Sequence, residues 1–428
     1  MKKLIKFFIS VFFSIIFCSI FVFLIIGLKG FYAPSWALNK FEKEFNNLLK
    51  GPSASIGDVR IQLFNKGNFI SATLFKIVLK DINSNQLAYL NELEASFGYE
   101  LLSTQMLLPN SVLISNSTLI INRNLEGNFS FEVRKERESS KVSSYTEIVE
   151  ILNLMEKTLE LEILKNLTIF SAINTNVAFF DKKSGKTWWF NNGEFLLENL
   201  QDRLLVQSSA NLLYGDGINS RGLLKLVKLR GEKQAQVSAN IDNIKINELA
   251  EQFPEFNFLS NFNLPVSIST TAILLDDGKL EGVKGVLETD KGEINLPHSN
   301  EYFSVNNGKV YFEYDRSGNK VKVIQASIDT EFGVSTGAGT LYLNEKSDVQ
   351  ELIVTGQFEL SDTKLYASKV FNQDFEIEKL ITDIRMNFNN ISIEFGQFFA
   401  QFPEFGVLVM VLLLTLSLTF QICQLKLL

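Results

Sequence analysis

Few residues of this chain combine the type and the spacing that chemistry needs. Lys183-Ser184-Gly185-Lys186-Thr187 contains a Gly-Lys-Thr. A phosphate-binding loop needs another glycine five positions before Gly185, so that successive backbone N–H groups can wrap the phosphates. Phe180 stands there instead. The flanks, Val177 to Phe180 and Trp188 to Phe190, read as paired strands, so the segment is expected to be a hairpin turn. Gly337-Ala338-Gly339 is a Gly-x-Gly fragment inside a strand pattern, with Tyr342 where a dinucleotide loop needs its third glycine. His298 is the only histidine, and one imidazole without cysteine partners makes no zinc site. Cys18 and Cys423 lie near the two ends, so the body between them has no disulfide, thiolate metal site or thiol nucleophile. Asp276-Asp277-Gly278 pairs two carboxylates where a turn wants Asp and Gly. Trp188-Trp189 could stack on a sugar, but neighbours in a strand face opposite sides. The chain is therefore read as a non-enzyme, with no catalytic residues, no metal and no cofactor.

The elements that carry these residues are mostly strands. Val59, Ile61 and Leu63 alternate with Arg60 and Gln62, and Val310, Phe312 and Tyr314 alternate with Lys309, Tyr311, Glu313 and Asp315. Turn signals recur at short intervals: Asn65-Lys66-Gly67, Glu126-Gly127, Lys183-Ser184-Gly185, Asp216-Gly217, Asp277-Gly278, Asn307-Gly308 and Ser317-Gly318. From Ile56 to about Phe395 the pattern reads as an antiparallel meander of about 20 strands. Two stretches depart from it. Tyr145 to Leu167 puts Ile148, Ile151, Leu152, Met155, Leu159 and Ile163 on one helical stripe, after a charged, Ser-rich linker from Arg134 to Ser144. A shorter helix is expected from Ile246 to Phe253, ended by Pro254. Both read equally as caps on sheet ends or as ordinary packing helices.

The two ends are apolar. Lys2, Lys3 and Lys6 precede an uncharged run from Phe7 to Leu28, long enough for a helix to cross hydrocarbon and lacking a small-x-small cleavage site. The lysines are expected to stay cytoplasmic and the rest of the chain to lie outside. Gly406 to Cys423 forms a second apolar run, read as an anchor, an interfacial segment or an end produced by a frame break, with the last favoured. A net charge of −7 argues against a nucleic-acid partner. The expected organisation is an anchor over 1–30, a β-rich segment over 31–134, and a linker with an amphipathic helix over 135–167. A β body over 168–395 and an apolar tail over 396–428 complete it.

Ile77-Val78-Leu79-Lys80-Asp81, Gln86-Leu87-Ala88-Tyr89-Leu90 and Leu93-Glu94-Ala95 are followed by Leu101-Leu102 and Leu108-Pro109-Asn110-Ser111-Val112-Leu113-Ile114. Leu119-Ile120-Ile121-Asn122-Arg123 and Leu125-Glu126-Gly127-Asn128-Phe129 close that stretch. A second set runs through Ile244 to Pro265 and Gly282 to Leu296, ending near Gly339-Thr340-Leu341. In this texture the chain resembles the AsmA-like family, specifically its YhdP-type central region. The resemblance implies a mainly β fold: a long curled antiparallel sheet, groove or taco-like, with one or two short helices and an N-terminal transmembrane helix. It implies phospholipid as ligand, with acyl chains on an apolar concave face, in a protein held in the bacterial inner membrane with its body in the periplasm. It further implies a place in lipid traffic to the outer membrane, with outer-membrane or envelope proteins completing the bridge. Full-length relatives are usually much longer, so the chain is expected to be a fragment, a short paralogue or half of an assembly.

The periodicity itself leaves groove and closed sandwich open. About 20 strands at roughly 4.8 Å make ~100 Å of sheet at most, too little to cross the envelope alone. The groove candidates are Val310, Phe312 and Tyr314, then Val321 and Val323, then Phe332 and Val334 with Thr336 and Ala338, all expected on one face. The competing function is a non-enzymatic assembly or scaffold factor that binds outer-membrane polypeptides by strand addition.

Overall fold

The computed structural model describes residues 16–17, 19, 21–22, 25, 27–49, 53–65, 67–80, 86–100, 108–123, 129–130, 159, 164–181, 185–213, 219–247, 259–275, 279–295, 302–343, 353–367, 373–387, 392–402, 406–410 and 414–417. Lys2, Lys3, Lys6, the start of the apolar run, Cys18, Cys423, His298 and Asp276-Asp277-Gly278 lie outside these residues. So do most of the expected helix at Tyr145 to Leu167 and the shorter one beyond Asn247. The described residues between 16 and 29 are helical. No helix among the described residues is long and apolar enough to cross a membrane. The fold is mainly β, and the chain divides into two compact units, Met1–Ile218 and Asn219–Leu428.

The first unit contains β1 (Phe31–Tyr32), helix α1 (Ser35–Leu49), β2 (Ser53–Ser55), β3 (Asp58–Leu63), β4 (Ile70–Lys80) and β5 (Gln86–Phe97). These are followed by β6 (Ser111–Ser115), β7 (Thr118–Arg123), β8 (Phe129–Ser130), β9 (Ile169–Asp181), β10 (Lys186–Asn199) and β11 (Arg203–Leu213). Pairing is antiparallel except where β6 and β7 both run parallel to β9, so the sheet is mixed and the expected all-antiparallel meander is corrected here. The long segment between β8 and β9 allows this, since a parallel return needs a crossover rather than a hairpin. The β9–β10 hairpin carries the Gly-Lys-Thr, with Lys186 opposite Asp181. Trp188 is buried and Trp189 is exposed, as opposite faces of a strand require.

Helix α1 was not expected. Its apolar residues Leu38, Phe41, Phe45 and Leu48 recur at helical spacing, and it starts directly after Pro34. It closes one edge of the sheet. The Asn46 amide donates Nδ2–H to the Ala54 carbonyl (2.9 Å) and accepts from the Ala54 N–H at Oδ1 (2.6 Å), while Glu42 Oε2 accepts from the Ile56 N–H (3.1 Å). Side chains thus stand in for a further strand beside β2. Beneath them Ala54, Ile56, Val59, Ile77, Ala88 and Leu90 form a buried cluster, with Leu38 of α1 packed against it. A second cluster joins Leu159, Leu167, Leu197 and Leu204.

The second unit contains β12 (Asn219–Leu229), β13 (Gln234–Lys245), β14 (Phe262–Asn263), β15 (Pro265–Leu275), β16 (Leu280–Thr289), β17 (Gly292–Asn295) and β18 (Tyr302–Asp315). Then come β19 (Lys320–Thr330), β20 (Gly333–Leu343), β21 (Ile353–Leu365), β22 (Phe375–Asn387), β23 (Ser392–Phe402), β24 (Gly406–Met410) and β25 (Leu414–Ser417). Long strands pair antiparallel with their successors in sequence, as a meander should. Two local expectations change. Asn307-Gly308 is not a turn: it lies within the 14-residue β18, beside a bulge between Val305 and Asn307. The sheet also does not stop at Phe395. β23 runs on to Phe402, and β24 and β25 pair along it, Phe399 opposite Val409 and Phe395 opposite Leu414. The apolar tail from Gly406 therefore contributes strands; runs of Val, Leu and Thr satisfy their backbone groups on an open strand as readily as in a helix.

Candidate functional site

The second unit's sheet has two chemically different faces. Register across nine long strands puts Leu224, Ala239, Thr270, Gly285, Phe312, Val323, Gly339, Phe358 and Thr382 side by side in one rung. The rung on one side of it passes from Leu226 through Val283, Tyr314, Val321 and Leu341 to Ile384, and the rung on the other from Gly222 through Leu287, Val310 and Ala326 to Leu380. None of the three rungs contains a charged residue. Eight inter-strand steps at ~4.8 Å give this apolar lane a span of roughly 38 Å across the strands.

The opposite face is polar and ionic. Lys284 meets Glu313 at 2.8 Å, Lys309 meets Glu288 at 2.5 Å and Lys379 meets Glu359 at 2.7 Å, each across a strand pair. Hydrogen bonding from Lys284 lowers the pKa of Glu313. The Ser317 hydroxyl, more than the neighbouring Lys320, lowers that of Asp315. Hydrogen bonding to Glu288 raises the pKa of Lys309, whose ammonium also sits 5.0 Å from the centre of the Tyr311 ring. These pairs are exposed, so they keep this face in water rather than hold the sheet together. An open depression of about 900 Å³ on this side is lined by Lys322, Gln325, Tyr342, Gln357 and Glu359. No group of three or more His, Cys, Asp or Glu among the described residues could hold a metal ion.

The apolar lane is only partly covered. Val323 is 6% exposed, but Val310, Phe312, Tyr314 and Val321 are half-buried and Leu224 is 45% exposed. The core of a closed sandwich would be shielded throughout. Glycines bring side chains down flat onto the lane. A Cβ on Gly285 would lie 2.9 Å from Cζ of Phe312, and one on Gly339 would lie 2.6 Å from Cδ2 of Phe358. Each ring therefore occupies the space above its glycine neighbour, a packing only glycine permits.

Of the candidate residues, Val310, Phe312, Tyr314, Val321 and Val323 share this face: Phe312 pairs with Val323 and Tyr314 with Val321. Val334 does not. It pairs with Asp329, which pairs with Asn307, and so belongs to the polar face. Phe332 lies in the turn before β20, 48% exposed, its ring 6.3 Å from that of Phe303. The cause is phase. A two-residue turn at Glu331-Phe332 starts β20 on Gly333, so Gly333, Ser335, Gly337, Gly339 and Leu341 take the face expected for Phe332, Val334, Thr336 and Ala338. One residue of slip moves every side chain to the other side. Alternation in the sequence also missed Leu287, Leu341 and Phe358, whose membership depends on long-range register.

No family model, no curated protein and no solved structure matches the chain.

Proposed function

We propose that this chain is a lipid-handling protein of a bacterial envelope, held in the inner membrane by its N-terminal apolar run, with its strands in the periplasm. In this reading the lane of the second unit receives phospholipid acyl chains and passes them toward the outer membrane, as the AsmA-like resemblance implies. The observation that carries the reading is the combination of three uncharged rungs with partial exposure of their side chains. Water is a poor partner for such a face, and each methylene laid on it gains about 0.8 kcal/mol. The uncovered Phe17, Phe21 and Leu28 of the N-terminal helical segment support the anchor.

The test is a photo-crosslinker at single positions of the full chain in cells. Phospholipid should be captured at Phe312 and Tyr314, and neither at Lys322 nor at Val334, which lie on the polar face. Polypeptide captured at Phe312 in place of lipid would support the scaffold reading instead. Mass spectrometry of lipid that co-purifies with the protein provides the independent measurement.

A further inference from the structure

From the start of the first unit we infer a second membrane contact: the outward face of α1, with the aromatic residues just before it, forms a footing on the surface of a bilayer containing anionic phospholipid. The inference rests on the reading above only in that the N-terminal run enters a bilayer.

The helical segment before α1 is bolted to the sheet. The last carbonyls of a helix have no partner within it. Here the Arg60 guanidinium donates to the Lys29 carbonyl (2.9 Å) and the Gln62 amide donates to the Leu28 carbonyl (2.8 Å). Gly30, at φ +81°, ends the helix, and β1 pairs at once with β3, Phe31 opposite Ile61. Few free bonds remain between the apolar segment and the sheet, so the depth of one sets the height of the other.

The surface at that junction fits a bilayer interface. Tyr32 is 63% exposed and Trp36 is 73% exposed, and they follow directly on an apolar helical segment whose Phe17 is 70% exposed. Aromatic rings with a polar edge favour the headgroup layer. Along α1, Trp36, Lys40, Lys43 and Asn47 recur every three to four residues and are exposed, while Leu38, Glu42 and Asn46 turn inward to the sheet. The exposed residues of this stripe include two lysines, Lys40 and Lys43. A tryptophan beside lysines on one helical face is the pattern of a helix lying on an anionic surface. The occupant is thus the membrane itself, since the apolar segment, the exposed Tyr32 and Trp36, and Lys40 and Lys43 of α1 follow one another along the chain.

The experiment uses the full chain in vesicles of phosphatidylcholine with phosphatidylglycerol, some lipids brominated near the headgroup end of the acyl chain. The Trp36 signal is taken as native fluorescence minus that of Trp36→Phe, which changes only an exposed ring. Quenching of this difference signal by bromolipid is expected. Replacing both lysines (K40Q with K43Q) should weaken the surface association roughly 25-fold, about five-fold per lysine. Alkaline carbonate extraction separates the two claims. If the chain washes off, the anchored reading itself falls. If the chain resists extraction but Trp36 is quenched by aqueous iodide and not by bromolipid, the anchor stands and the footing is refuted. Quenching that K40Q with K43Q leaves unchanged overturns the assignment of anionic headgroups.

Discussion

A carboxylate at position 312 separates an open, lipid-bearing face from a closed core. Phe312 is half-buried, its ring over Gly285 and its strand partner Val323. Full burial of a phenylalanine side chain is worth about 1.5–3 kcal/mol, so losing a half-buried one costs about 1–1.5 kcal/mol. On an open face the new carboxylate turns toward water and adds little. Phe312→Glu should therefore lower the unfolding free energy by about 1–2 kcal/mol and leave the fold intact. Its effect on lipid should be far larger. A hydrated carboxylate holds about four methylenes off the lane, at ~0.8 kcal/mol each, or ~3 kcal/mol, on the order of a 100-fold loss of occupancy. The assay follows urea unfolding alongside lipid capture by a photo-crosslinker at Tyr314, one rung away. If the lane is a sealed core, the buried charge costs several kcal/mol and the unit unfolds. Unfolding of Phe312→Glu, together with no lipid captured at Tyr314 or Val310 in the native chain, refutes the open face.

Three further outcomes are expected. Asn46→Ala removes both bonds to Ala54 and should cost the first unit about 2 kcal/mol, read as a lower urea midpoint, because each lost bond is worth about 1 kcal/mol. The lowered carboxyl pKa values of Glu313 and Asp315 contribute stability that is present above the unfolded carboxylate range and lost as pH falls through their folded values. The raised Lys309 contributes below its ordinary range and is lost only at very high pH. Because these groups are exposed, the urea midpoint of the second unit should stay flat through neutral pH and fall only slightly below about pH 4, with the fold retained. Gly339→Val sets a Cβ 2.5 Å from the Gln357 carbonyl and lifts the Phe358 ring, so it should cost about 1–3 kcal/mol and also reduce lipid capture at Val323.

Strand content was readable because single residues alternate: Lys320-Val321-Lys322-Val323 declares two faces without any neighbour. Which strand lies beside which, and in what phase, was not. Val334 belongs to an alternating run as clear as that of Val321, yet a two-residue turn and the bulge beyond Val323 place it on the other side. Bulges do leave a trace. Asn174, Asn192 and Asn243 all have positive φ and all fall in register breaks, where asparagine tolerates the left-handed backbone that bulky residues resist. Lone asparagines inside strand patterns were the available signal. Helix α1 was hidden for another reason: its polar residues Glu42 and Asn46 serve the neighbouring β2 backbone, so its inward face does not read as apolar throughout. The parallel pairing of β6 and β7 with β9 depends on a crossover that local pattern does not reveal.

The repeated rung has a consequence for how such a chain changes over generations. β18 and β19 with their turn at Arg316–Asn319 form one hairpin, and its share of the lane differs little in kind from that of β15 with β16 or β20 with β21. Removing a whole hairpin leaves the outer strands still antiparallel, so two loops can rejoin without reversing a face. The surface is then shorter by about 9.6 Å and otherwise the same. Reach is thus adjustable in whole hairpins while composition drifts freely, provided apolar residues stay in phase. Exchange of one apolar residue for another is diluted across many equivalent sites, whereas a charge placed in the lane, or gain or loss of paired strands, has a sharp effect.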